Sequence, residues 1–479
     1  MLTLADIIEA LTGIRPGNLD QVITEAVIDS RQVIPGSMFV AIPGERVDGH
    51  DFVEAAFESG ANIALIQREV TASLPVLDLR PGHDQAALAA SLAGTRWDFP
   101  LSIRVENTVS ALQEVARFWR RKLTLRVIGI TGSVGKSTTK ELVAEVLEQR
   151  YRTLRSPGNL NNEIGLPLSL LRLGEGHERA VLEMGFYVPG EITFLCELAL
   201  PQVGIVTNVG TVHAERAGSQ EAIALGKSEL VQALPPAPDG VAVLNYDDPW
   251  VRDMASKTRA SVFFYGLSPE ADLWADEVEG LGLEGIRFRL HYHNEVLFLR
   301  VPLIGQHSVH TALRAAAIGL IEGLTWQEIV NGLRSEHTQL RLVAVRTESG
   351  ALILDDTYNA SPESTLAALN LLEELEGRKV AVLGDMLELG PYEQQGHEMV
   401  GVRAAEVADE LVTVGELARM IAASAIRAGL PADAVTTTDS TDHATRFLQQ
   451  HLGPGDVALV KGSRGMRMDR IVAALEEPQ

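Results

Sequence analysis

Hydrophobic and polar positions follow two distinct periods along this chain. In the opening segment MLTLADIIEALTG, Leu4, Ile7, Ile8 and Leu11 recur at helical spacing with acidic residues between them. That spacing predicts an amphipathic helix. A secretory leader would need a basic start and an unbroken apolar stretch, so the segment is the start expected of a cytoplasmic protein. VITEAVIDSR, SMFVAIPG, a helix from about Asp51 to Ser59 and the strand ANIALI follow, with turns marked by Pro35, Pro43 and their glycines. The stretch from Pro81 to Arg104 carries no clear period, and the first domain, residues 1–104, is expected to end there.

From Arg126 the pattern becomes strand, glycine loop, helix. RVIGIT is a short β-branched run, and in STTKELVAEVLEQR the residues Leu142, Val143, Val146 and Leu147 share one helical face. AVLEM, VGIVTN and VAVLN are further apolar runs ending in small or polar residues. Such runs between helical patterns predict parallel strands covered on both faces. FRLHYH and VLFLRVPL instead alternate with period two, which predicts antiparallel strands and makes the sheet of this central domain, residues 105–336, mixed but mostly parallel. ALILDD, KVAVLGD, ELVTVGE and DVALVKGS supply four more strands to a Rossmann-like C-terminal domain, residues 337–479. The fold class is therefore α/β in three domains. Ligands of open α/β sheets lie beyond the carboxyl ends of the strands, and here those ends are polar.

Composition narrows the function. A chain of 479 residues, 46% of them hydrophobic, is too long for one core and can bury several. Its 41 basic against 64 acidic residues give a net charge of −23, which argues against nucleic acid as a partner. Small anionic ligands are compatible with that charge, because helix N-termini bind phosphate locally. Cys196 is the single cysteine, so no internal disulfide can form, in keeping with a reducing compartment. The run ITFLCELAL around it is too short for a membrane span and carries Glu197.

The sharpest chemical signal is Thr131-Gly132-Ser133-Val134-Gly135-Lys136-Ser137-Thr138, set between a predicted strand and a predicted helix. That setting makes the glycine pattern a phosphate loop. Gly132 and Gly135 let backbone N–H groups converge on phosphate oxygens, Lys136 reaches the outer phosphates, and the Ser137 hydroxyl suits Mg²⁺. The position five before Gly135 is Ile130 and not glycine, so this is a shorter GxxGKS form.

Five blocks in order, TGSVGKSTTKE, NLNNEIGLPLSLL, LEMGFYVPGEI, TNVGTVHAERAGSQEAIALGKSEL and LDDTYNASPES, resemble those of the Mur ligases, from about residue 25 to the C-terminus. The resemblance implies a cell-wall ligase that uses ATP and Mg²⁺. A carboxylate is phosphorylated, an amine attacks the acyl phosphate, and phosphate leaves. It further implies that D-alanyl-D-alanine is joined to UDP-N-acetylmuramoyl-tripeptide, as YNASP and the NLNNE block favour this over a sibling that adds a single amino acid. A nucleotide-binding switch without ligase chemistry would not need the set of acid, histidine, lysine and arginine residues that follows. A monomer suffices for the reaction.

The same resemblance assigns roles position by position. Glu183 at the end of AVLEM and His213 in TVHAE match metal-site residues, and Lys227 in ALGKSEL matches a lysine that many Mur ligases carry as a carbamate, an anion able to orient metal. Asn159, Asn161 and Asn162 suit nucleotide and peptide contacts. Arg341 and Asp356 match nucleotide-contacting positions, Tyr358 and Asn359 are strand-end candidates for the amine substrate, and Asp385 and Lys461 for the amine substrate or phosphate. Ser30 and Arg31 match a block that contacts the UDP end. The chain departs from the family pattern in two places. Ser308 and Thr311 stand where asparagines usually help read adenine, and Ser361 stands where asparagine is commoner.

Overall fold

The computed structural model describes every residue except 18, 45–46, 71–73, 81–91, 93–97, 212–213, 336–342 and 477–479. The chain divides into two compact units. One holds Met1–Gly129, Tyr151–Gly185 and Glu191–Val203, and the other Ile130–Arg150, Phe186–Gly190 and Gly204–Gln479.

The first unit opens on the helix Leu4–Thr12, as its spacing predicts. Thr3 and Asp6 cap it reciprocally and Gly13 ends it at φ 74°. Asp6 is buried, yet Arg15 and Lys122 reach it at 2.7 and 2.9 Å. Those two cations hold its carboxyl well below the usual range against the opposing effect of burial. A five-stranded parallel sheet follows, in the spatial order Ala26–Val27, Met38–Val40, Ile63–Ile66, Leu101–Arg104, Val76–Asp78. Leu101–Arg104 thus lies in mid-sheet although its sequence shows no period. The unit also holds the parallel pair Thr153–Arg155 and Arg179–Glu183, and the helices Thr108–Lys122, Gly165–Leu171 and Glu191–Ala199.

In the second unit the helix Lys136–Glu148 packs closely on Val309–Ile321 and Trp326–Leu333. A Cβ on Gly332 would meet the Cα of Val146 at 2.5 Å, so glycine is what permits the approach. Val241–Asn245, Ser261–Gly266 and Leu273–Gly280 pair in parallel, and Ile286–Tyr292 and Glu295–Val301 then continue antiparallel. The sheet is therefore mixed, as the alternating segments predict. The last 130 or so residues form a six-stranded sheet in the order Val343–Arg346, Leu352–Asp356, Asp456–Lys461, Arg378–Gly384, Glu410–Val414, Val435–Thr438. All of these pairings are parallel except the first. One face is buried by Leu369, Leu372, Val400 and Ile421, the other by Leu448, Ile471 and Val472, which accounts for strands that are apolar throughout. The sequence shows four of these six strands. The edge strands Val343–Arg346 and Val435–Thr438 carry too little hydrophobic pattern to stand out. Among the described residues, no helix is long and apolar enough to cross a membrane.

Candidate active site

The phosphate loop is built from its two glycines outward. Gly132 sits at φ 145° and Gly135 at φ 85°, where other residues are strained. A Cβ on Gly132 would also lie 1.8 Å from Thr207 Oγ1. Thr207 and Asn208, just past the strand Val203–Val206, brace the loop. Thr207 Oγ1 donates to the Val134 carbonyl at 2.7 Å. Asn208 Oδ1 accepts from the Val134 N–H at 2.9 Å, and Asn208 Nδ2 donates to the Val134 carbonyl at 3.0 Å. Ser133 Oγ accepts from the Gly210 N–H at 2.8 Å. Lys136 Nζ donates back to the carbonyls of Gly132 and Ser133 at 2.8 and 3.2 Å. Ser137 is buried in the first turn of the helix, with Thr138 beside it. The result is a braced glycine loop that leads into the N-terminus of the helix Lys136–Glu148.

Lys227 is only 1% exposed, on the helix Gln220–Gln232. Its Nζ lies 5.0 Å over the ring of Phe186, and that ring abuts Gly226, where a Cβ would come within 1.9 Å of it. Burial, and after it the like charge of Lys136, push the Lys227 ammonium well below its ordinary pKa. Glu229, a conceivable partner along the helix, instead accepts from the Gly190 N–H at 2.7 Å.

Arg314 is a functional candidate the motifs do not include. It is buried, and its Nη2 lies 3.3 Å from where a Cβ on Gly135 would stand. Nη2 donates to Thr311 Oγ1 at 2.7 Å and Nη1 to the Tyr265 hydroxyl at 3.2 Å. Its Nε is buried with no hydrogen-bond partner among the described residues. Thr311 is thereby engaged by the arginine, while Ser308 donates to the Ile304 carbonyl at 2.7 Å. Both residues that depart from the expected asparagines have partners within the chain. The signal that could have revealed Arg314 is a lone arginine in the buried helix VHTALRAAAIGLI.

In the first unit Glu183 ends its strand almost fully buried and accepts from Asn161 Nδ2 at 2.9 Å. Asn162 Oδ1 accepts from the N–H of Gly165, the first residue of the helix Gly165–Leu171, at 2.8 Å. Asn159 is exposed in the same loop. Ser30 and Arg31 lie in a short 3-10 turn capped by Asp29, with Arg31 exposed and paired to Asp29 at 2.7 Å.

The C-terminal sheet gathers several strand-end residues. Lys461, 2% exposed, donates to Asp356 Oδ2 at 2.6 Å and to the Asn359 carbonyl at 2.9 Å. Tyr358 is partly exposed, with the Arg464 guanidinium 6.0 Å over its ring. Asp385 is buried, which raises its carboxyl above the usual range. Its Oδ1 accepts from the Ala418 N–H at 2.7 Å, so it anchors the helix Ala418–Arg427. His397 is fully buried beside it. Nδ1 lies 2.7 Å from the Glu393 carbonyl and so carries the proton, leaving Nε2 to accept from the Met386 N–H at 3.1 Å. Ser361 caps the helix Pro362–Glu374, a task that serine and asparagine perform about equally well, which accounts for the exchange. On that helix Glu363 Oε1 accepts from the Thr211 N–H at 3.1 Å. His213 and Arg341 lie outside the described residues.

Comparison with known proteins identifies the class. Residues 22–89 match the Mur ligase family catalytic domain, 130–319 the Mur ligase middle domain and 340–464 the Mur ligase glutamate ligase domain. A relative from Bacillus subtilis (strain 168) is 35% identical over 481 residues, covering 99% of this chain and 98% of its own. The chain belongs to the Mur ligase family. That relative is named UDP-N-acetylmuramoyl-tripeptide–D-alanyl-D-alanine ligase. Among solved structures, MurF from Acinetobacter baumannii superposes with a TM-score of 0.81 at 30% identity, over 98% of this chain and 97% of that one. The MurF ligase of Thermotoga maritima in complex with ADP gives 0.75 at 28%, over 97% of each.

Proposed function

We propose that this chain joins D-alanyl-D-alanine to UDP-N-acetylmuramoyl-tripeptide, yielding the pentapeptide precursor of peptidoglycan. It is an ATP-dependent ligase. The observation that carries the reading is the braced GxxGKS loop, in a chain aligned end to end with a ligase of that name. A peptide carboxylate is a poor electrophile, because its oxygen is a poor leaving group. In the proposed reaction that oxygen attacks the γ-phosphorus, the bond to ADP breaks, and an acyl phosphate forms. The dipeptide nitrogen then attacks the acyl carbon, phosphate departs and the nitrogen loses its proton.

The chain's own groups have distinct tasks in this reading. Lys136 and the loop N–H groups of Gly132, Ser133, Val134, Gly135, Ser137 and Thr138 hold the polyphosphate and offset the repulsion between two anions. Ser137 offers a hard oxygen of the kind Mg²⁺ takes, bound Mg²⁺ would neutralise charge on the transferring phosphoryl group, and Glu183 keeps its proposed metal role on the resemblance. A buried lysine facing another cation favours the neutral amine. That form combines with carbon dioxide, so Lys227 is proposed as a carbamate whose negative charge Lys136 would balance. Asn359 and Lys461, with Tyr358 and Asp385, form the proposed end for the amine, and Asp356 beside Lys461 keeps its proposed nucleotide contact. Asn159 and Asn161 are proposed for the acceptor, and Ser30 and Arg31 for its UDP. His213 and Arg341 hold their proposed roles on the resemblance alone, and the role proposed for Asn162 has to coexist with its bond to the Gly165 N–H. Boundaries at 104/105 and 336/337 are proposed because the matched segments 22–89, 130–319 and 340–464 fall one within each domain. A cytoplasmic monomer is the proposed working form, in line with a single buried thiol.

A coupled phosphate-release assay with UDP-N-acetylmuramoyl-tripeptide and a panel of amines tests the assignment. Release with D-alanyl-D-alanine and none with lysine or meso-diaminopimelate is expected. The reverse preference would assign the chain to a sibling activity.

A further inference from the structure

Positive charge buried without a counter-charge is costly, because the low dielectric of a protein interior does not replace lost hydration. Arg314 is such a charge. It is 4% exposed, makes no ion pair with a described carboxylate, and among the described residues bonds only to two neutral hydroxyls, those of Thr311 and Tyr265. Its Nε has no hydrogen-bond partner among the described residues. The other deeply buried arginine, Arg120, shows the usual solution. Its guanidinium donates to the backbone carbonyls of Ala199, Leu123 and Leu125 at 2.7 to 3.3 Å. Arg314 has no such set of carbonyls, and what lies against it is the turn of the phosphate loop at Gly135.

We propose that Arg314 is a further cation of the nucleotide site, its charge balanced by the phosphates of the bound nucleotide and not by the protein. The inference rests on the reading of the GxxGKS loop as the nucleotide site and adds to it a residue outside the motif. Guanidinium suits the task, because its donors fan out in a plane that matches phosphate oxygens, and it stays charged at every working pH. Thr311 and Tyr265 orient it from the side. Gly135 lacks the side chain that would stand between the arginine and the loop.

The test compares Arg314→Met, which keeps the volume and removes the charge, and Arg314→Lys with the parent protein. Melting temperature without ligand and ADP affinity by calorimetry are measured for each. The proposal predicts opposite movements in the methionine variant. The ligand-free protein melts at the same or a higher temperature, and the ADP dissociation constant rises about tenfold or more. The lysine variant falls between it and the parent. Adenosine, which carries no phosphate, binds the variants and the parent equally. A merely structural arginine would give the opposite result: a lower melting temperature with ADP affinity within twofold of the parent, and that result overturns the proposal. A loss confined to adenosine binding overturns it too, since the contact would then be to the base. Failure of the parent protein itself to bind ADP would sink the reading of the phosphate loop and this inference with it. Binding by the parent and equally tight binding by the methionine variant sinks the inference alone.

Discussion

The second unit handles buried basic side chains in opposite ways in two regions. At the strand ends of the C-terminal sheet, Lys461 is 2% exposed and meets Asp356 at 2.6 Å. Around the phosphate loop, Lys227 is 1% exposed and Arg314 4%, yet one faces an aromatic ring and a second lysine while the other has two hydroxyls. The difference separates charge that the fold settles internally from charge left for something else to settle. A paired lysine is fixed in place whether or not substrate is present. In the proposed reading, Lys227 is kept neutral and so open to modification, while the Arg314 guanidinium is left for the phosphates of a nucleotide.

Substitutions can break this contrast. The largest effect is expected at Lys136, since its amine is proposed to meet charge that develops during phosphoryl transfer. Lys136→Ala should lower kcat/KM for ligation by about a thousandfold, while circular dichroism stays native. Undiminished turnover would remove the site from the mechanism. Next comes the paired region. Asp356→Ala strands a buried lysine, so stability measured by urea unfolding should fall by about 3–5 kcal/mol. A loss under 1 kcal/mol would mean that Lys461 finds water or another partner, and the two regions would then not differ as described. The smallest of the three is Lys227→Ala. Activity should fall about tenfold to a hundredfold and return in part with added formate or acetate, whose carboxylate stands in for the carbamate. Full activity without any additive would rule out the modified lysine.

The sequence was legible where one short segment carries both the pattern and the chemistry. The phosphate loop could be read because strand, glycines, lysine and helix are contiguous, and the alternation of FRLHYH and VLFLRVPL announced the antiparallel strands. It was much less legible where function depends on residues far apart. Asp356 and Lys461 are separated by 105 positions and meet only because their strands are neighbours in the sheet. Asn208 appears in the sequence as the end of an apolar run, and only the fold turns its amide onto Val134. Asp385 and Asn162 read as ligand-binding side chains, yet each also holds the start of a helix, a task that polar residues at strand ends and in loops often share. Arg314 interrupts an alanine-rich helix, and without its neighbours a lone arginine gives no hint of whether it faces solvent or phosphate.

The central claim is that ATP activates a peptide carboxylate for attack by a dipeptide amine. The most direct measurement places ¹⁸O in that carboxylate and follows the label through one turnover with ATP and D-alanyl-D-alanine. Transfer through an acyl phosphate predicts that each phosphate released carries one labelled oxygen, as mass spectrometry would show. Unlabelled phosphate, with the lost heavy oxygen appearing in water or both still in unreacted tripeptide, would contradict the account.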